Sequence, residues 1–192
     1  HYPAWKALAD ALHIPFDEKK NDRLRGVSRM ASLEIVLEEY HGPALSEEEK
    51  TALADKKNSI YRELLQTMTP KDLSDEVRDT LHALRAKGLR LAIGSSSKNT
   101  PLILERIGLA GFFDAVSDDN NITRAKPDPQ VFLMAADMLK LEPSVCLVVE
   151  DAVAGLQAAT AGGFDSAGLG PAAQSGQATY SLRTFRYLLS IS

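Results

Sequence analysis

The sequence predicts an α/β fold in two parts: an all-helical subdomain over residues 1–70 and a doubly wound parallel-sheet domain over residues 71–192. Three observations carry the prediction. Apolar residues recur at helical spacing up to about Met68, and short apolar strands alternate with helices of about ten residues from about Pro70 onward. Polar clusters then fall where those strands should end, the edge at which an open parallel sheet places its ligand.

In the helical part, Trp5, Leu8 and Leu12 form one stripe and Leu33, Val36 and Leu37 another, while Ser46-Glu47-Glu48-Glu49 opens a third helix as a capping box. Past Pro70, a helical stretch over Val77–Lys87 stops at Gly88 and the strand-like run Leu89–Ile93 follows. Helices are expected over Thr100–Gly108, Pro129–Lys140 and Ala152–Ala161, and strands over Phe112–Val116, Val145–Val149 and Phe164–Leu169. Residues 170–177 read as a loop rich in Gly, Ala, Ser and Gln before a final helical stretch, Leu182–Leu189.

With 192 residues and 44% hydrophobic content the chain can bury a core without crosslinks. Its single cysteine, Cys146, lies in the apolar run Val145–Val149 and reads as a small buried hydrophobe, which suits a reducing compartment. No apolar stretch approaches the roughly 18 residues that span a bilayer, and no basic and apolar leader is seen, so the expected location is the cytoplasm, without a membrane partner. A net charge of −4 with interspersed signs offers no basic face for nucleic acid. Any bound anion must be small and locally caged, and a monomer is expected.

The first polar cluster, Gly94-Ser95-Ser96-Ser97-Lys98-Asn99, gathers hydroxyls, backbone N–H groups and an ammonium at a helix start, which suits a phosphate dianion; serines that merely cap the next helix are the plainer alternative. In the second, Lys126-Pro127-Asp128-Pro129, proline restricts the residue before it and so aims Lys126, although an isolated Lys-Pro is usually an exposed turn. The third, Glu150-Asp151, sets two adjacent carboxylates between a strand and a helix, where a hard cation such as Mg²⁺ would offset their repulsion. Its alternative is Asp151 as a helix cap beside a solvated Glu150.

In this order the three clusters resemble the second, third and fourth motifs of the haloacid dehalogenase superfamily. Residues 92–99 and 149–155 are closer still to the β-phosphoglucomutase group, and residues 1–8, 24–29 and 56–61 are similar to stretches of that group's helical cap domain. The resemblance implies a Rossmann-like core with an α-helical cap. It also implies Mg²⁺-dependent interconversion of β-D-glucose 1-phosphate and glucose 6-phosphate through a phosphoaspartate and a bound glucose 1,6-bisphosphate. By this resemblance Ser95 and Lys126 hold the transferring phosphoryl group, and Glu150 and Asp151 hold Mg²⁺. Ser96, Ser97, Lys98 and Asn99, with Arg29, grip the other phosphate. Arg25, Gly26, Ser28, Ser32, Lys57 and Asn58 contact the sugar or close the cap, and His1 lies at the hinge.

Two departures stand against the resemblance. The superfamily's first motif, an apolar strand followed by Asp-x-Asp, is expected about ten residues before His1 and has no counterpart in the 192 residues; Asp17, Asp118 and Asp119 all read as polar-loop residues. The first core strand is thus expected to be missing, and residues 1–192 alone to be inactive. Ser74-Asp75-Glu76 also stands where the group often carries Pro-Gly at the return into the core. A phosphatase of the same superfamily and a non-catalytic sugar phosphate binder are the competing readings.

Overall fold

The computed structural model describes residues 1–191, which divide into two compact units, residues 1–68 and 69–191. The first holds α1 (Tyr2–Ala11), α2 (Glu18–Asp22), α3 (Arg29–Leu37) and α4 (Glu47–Gln66). Trp5, Leu8 and Ala9 of α1 pack with Leu33 and Val36 of α3 and Ala54 of α4, so the stripes seen in the sequence meet in one core. The capping box forms as expected: Ser46 Oγ accepts from Glu49 N (3.2 Å) and the Glu49 carboxylate accepts from Ser46 N (2.8 Å). α2, only five residues long and started by the Asp17 carboxylate accepting Lys20 N at 2.8 Å, was not expected; its apolar periodicity is too short to read.

The second unit runs α5 (Asp75–Ala86), β1 (Ala92–Gly94), α6 (Thr100–Arg106), β2 (Ala115–Ser117), α7 (Gln130–Leu139), β3 (Leu147–Glu150), α8 (Val153–Ala161), β4 (Asp165–Gly168), α9 (Pro171–Gln174), β5 (Tyr180–Ser181) and α10 (Leu188–Ile191). All strand pairs are parallel, β1 with β2 and β3 with β4 with β5. The described strands therefore make two sheets, and the edges of β1 and β3 turned away from their partners join no other described strand. α7 carries Val131 and Phe132 into one core with Val148 of β3 and Ala158 and Ala159 of α8. β1, paired with β2 alone among the described strands, is only partly buried throughout, where a central parallel strand would be enclosed on both faces.

Several boundaries depart from the sequence expectation. β1 starts three residues later than Leu89 and β2 three later than Phe112, because parallel pairing in the register Ala92 to Ala115 decides where each strand begins. Val145, expected in a buried strand, lies in a 3-10 turn over Pro143–Val145 and is 71% exposed. Cys146 is half-buried, its thiol 3.3 Å from the Glu142 carbonyl oxygen and its pKa raised by burial. The expected loop at 170–177 contains α9, the strand β5 was not foreseen, and the last helix is a 3-10 turn, Phe185–Tyr187, leading into α10.

Candidate active site

At the carboxyl ends of β1 and β3 the structure brings together residues of all three clusters. The Lys126 ammonium donates to the Gly94 carbonyl at the end of β1 (3.2 Å) and to the Glu150 carboxylate at the end of β3. Both ions are buried, Lys126 at 8% exposure and Glu150 at 9%. Burial of a charge is tolerated only with a partner and with its hydrogen bonds met. Glu150 meets this condition through its second oxygen, which accepts from the backbone N–H groups of Asp151 (3.1 Å) and Ala152 (3.2 Å). An ammonium has three donors, and Lys126 uses two of them here.

The loop feeding this pair is pinned from both sides. Asp128 accepts from Arg124 Nε (2.7 Å) and from Gln130 N at the start of α7 (2.9 Å), and Arg124 first, then the Gln130 N–H, hold its carboxyl below the usual carboxylate range. The Lys126–Pro127 peptide is cis. Two residues to which the sequence lent no role shape the pair. The Phe132 ring centroid lies 4.7 Å from the Lys126 ammonium, and a Cβ on Gly155 would overlap the Glu150 carboxyl group. An apolar helix position and a glycine inside a helix were the signals available; the glycine alone hints at a close packing need.

Both parts of the plainer reading of Glu150-Asp151 fail. The cap position of α8 is Ala152, which makes no side-chain cap, and Glu150 is buried rather than solvated. Asp151 is exposed beside it. Two carboxylates at one strand end match the donor set that Mg²⁺ takes alongside waters and phosphate oxygens. Among the described residues no three His, Cys, Asp or Glu side chains cluster as a closed metal cage.

The serine loop fits the capping reading in part. Ser95 Oγ accepts from Ser97 N (3.1 Å) and lies 2.8 Å from the Thr100 hydroxyl, and Ser97 Oγ accepts from Asn99 N (3.1 Å), so these hydroxyls do organise the turn before α6. Ser95 is nonetheless fixed to the sheet, its N–H donating to the Ser117 carbonyl of β2 at 2.9 Å. The side chain of Lys98 is exposed, Ser96 is partly buried, and Asn99 is buried. Asp118, read as a polar-loop residue, follows β2 directly and is buried; its carboxylate accepts from Asn120 N and Nδ2 (both 2.9 Å) and so serves the turn.

Within the helical unit His1, Arg29, Lys57 and Asn58 are neighbours. Arg29 donates to Asn58 Oδ1 (3.2 Å) and pairs with Asp55 (3.6 Å), while Lys57 Nζ lies 3.0 Å from His1 Nδ1 and over the rings of Trp5 (4.5 Å) and Tyr61 (4.9 Å). His1 stacks on Tyr61 with centroids 3.9 Å apart. Lys57 is 3% exposed, and burial, then the nearby Arg29 charge, lowers its pKa from 10.5 to about 8. Ser28 caps α3 by accepting from Ala31 N, and Ser32 is buried one turn on. Gly26 takes a positive φ of 75°, and Arg25 donates to Asp22 (3.0 Å) on the surface.

Comparison with known proteins decides the family. The model for haloacid dehalogenase-like hydrolases matches residues 1–163. The chain belongs to the haloacid dehalogenase-like hydrolase family. Within that family it is 38% identical to a β-phosphoglucomutase of Bacillus subtilis over 173 residues, 88% of this chain and 76% of that protein. A crystal structure of a β-phosphoglucomutase from Clostridium difficile superposes with a TM-score of 0.89 at 32% identity, covering 99% of this chain and 88% of that one. A fructose-1-phosphate phosphatase of Escherichia coli is 29% identical over 86% of this chain and 85% of its own length. The haloacid dehalogenase-like fold foreseen from the three clusters is thereby established.

Proposed function

We propose that the chain is the cap and core of a Mg²⁺-dependent β-phosphoglucomutase, interconverting β-D-glucose 1-phosphate and glucose 6-phosphate. The observation that carries the reading is Lys126, buried at the ends of β1 and β3 with one donor not engaged by Gly94 or Glu150. That donor and the Ser95 loop would hold the transferring phosphoryl group and offset the charge its loose transition state spreads over the oxygens. Glu150 and Asp151 would hold Mg²⁺, which supplies further neutralisation of phosphoryl charge when bound. Arg29, whose fork can take two oxygens at once, would bind the phosphate that is not being transferred. The similarity to two β-phosphoglucomutases supports the mutase over other members of the family.

A phosphatase acting on a sugar phosphate is the second reading, favoured by the similarity to a fructose-1-phosphate phosphatase. The two part on the fate of the phosphoryl group, which passes to a sugar in one and to water in the other. The test assays β-glucose 1-phosphate with Mg²⁺ and a bisphosphate primer, following glucose 6-phosphate and inorganic phosphate together. It is run on the 192-residue chain and on the chain preceded by an apolar strand ending in Asp-x-Asp. Among the described residues no aspartate follows an apolar strand as Asp-x-Asp to become the phosphoaspartate, so turnover is expected only from the second protein. Inorganic phosphate without glucose 6-phosphate would decide for the phosphatase.

A further inference from the structure

We propose that Phe132 is a positioning residue for the phosphate site: its ring face, seated in the space left by Gly94, holds the Lys126 ammonium where a phosphoryl oxygen can reach it. The inference rests on the reading of Lys126 as a phosphate ligand. A lysine ammonium sits on a flexible four-carbon stem, and fixing that stem before an anion arrives lowers the cost of binding. Three groups of different kinds surround this one. The Gly94 carbonyl and the Glu150 carboxylate accept its hydrogen bonds, and the Phe132 centroid lies at 4.7 Å, within the range in which a ring face attracts a cation.

The ring is itself held. Phe132 stands in the first turn of α7, six residues after Lys126, and is 7% exposed. Phe164 meets it edge to face, with centroids 6.2 Å apart and planes at 69°. A Cβ on Gly94 would come within 2.6 Å of Phe132 Cδ1 and 2.7 Å of Cε1, so the ring lies against the glycine backbone and a side chain there would displace it. One glycine thus offers both the carbonyl that Lys126 binds and the gap that seats the ring beneath it. Leu or Met would fill the same volume but present no negative face to the ammonium.

Fluorination separates these roles, because 4-fluoro-, 3,5-difluoro- and 3,4,5-trifluorophenylalanine drain the ring face with little change of shape. Each would be placed at position 132, and the dissociation constant for inorganic phosphate measured by titration calorimetry at fixed pH and salt, with thermal unfolding as the control. The expected result is a stepwise weakening that reaches about tenfold for the trifluoro ring, about 1.4 kcal/mol, with any fall in Tm confined to proteins that carry Lys126. Affinity that stays flat or rises across the series, in a protein that binds phosphate and loses it on Lys126→Met, overturns the role of Phe132 and leaves the phosphate site standing. A fall in Tm across the series that persists in a Lys126→Met background would make Phe132 a packing residue and likewise overturn the proposal. A parent protein that binds no phosphate, or a Lys126→Met variant that binds it equally well, overturns the phosphate reading and this inference with it.

Discussion

Replacing Gly155 by alanine sets a local preference against a tertiary one. Gly155 is the third residue of α8 and has no positive φ, so helix propensity alone predicts that Gly155→Ala stabilises the protein by about 0.5–1 kcal/mol. The new Cβ would, however, overlap the Glu150 carboxyl group and lie 2.5 Å from its Cγ. Glu150 cannot yield without loosening its bonds to Lys126, Asp151 N and Ala152 N. Overpacking costs about 1–3 kcal/mol, and removing one partner of a buried ion pair about 3–5 kcal/mol. Displacement forfeits only part of the second figure, so after the helix gain a net loss of about 2 kcal/mol is expected, a fall in Tm of about 4–8 °C. The assay is thermal unfolding of Gly155→Ala alone and in a Glu150→Ala background, a cycle that isolates the coupling of the two positions. Once Glu150 is cut back to alanine the overlap is gone, and the same substitution should be neutral or stabilising. A higher Tm for the single variant, or an equal loss in both backgrounds, would refute the claim that Gly155 makes room for Glu150.

Three further outcomes follow from the sites described, the turnover assays being run on the chain preceded by an apolar strand ending in Asp-x-Asp. Asp151→Ala should lower Mg²⁺-dependent turnover by orders of magnitude and leave Tm nearly unchanged, because Asp151 is exposed; activity and Mg²⁺ dependence equal to those of the parent would remove it from the metal site. Arg29→Ala should depress mutase turnover far more than hydrolysis of a small aryl phosphate, since transfer to water needs no hold on a second phosphate; equal losses would mean that Arg29 only orders its own unit. Lys57, lowered from 10.5 to about 8, binds its proton less tightly folded than unfolded, so its contribution to stability should rise as pH climbs from about 8 toward 10.5 and be flat below. Lys57→Met should abolish that rise in denaturant titrations across the range, and a rise that survives would belong to another group.

Much of the architecture was written in local pattern. The helical stripes of Trp5 and Leu8 and of Leu33 and Val36, the capping box at Ser46, and the alternation after Pro70 depend on residues within a few positions of each other, and these features were legible from the sequence. So was the placing of the polar clusters at strand ends, which follows from the order of elements alone. What the sequence did not determine was set by partners far along the chain. The starts of β1 and β2 depend on their mutual register, and the open edges of β1 and β3 depend on which strands find each other. The site divides in the same way: Lys126 and Glu150 were each singled out, but their direct pairing spans 24 positions, and the parts played by Phe132 and Gly155 exist only once α7 and α8 have packed. Nearby residues reveal helices and caps because those bonds close within one turn, whereas a buried ion pair, its ring and the gap that admits it come from elements that meet only through the tertiary fold.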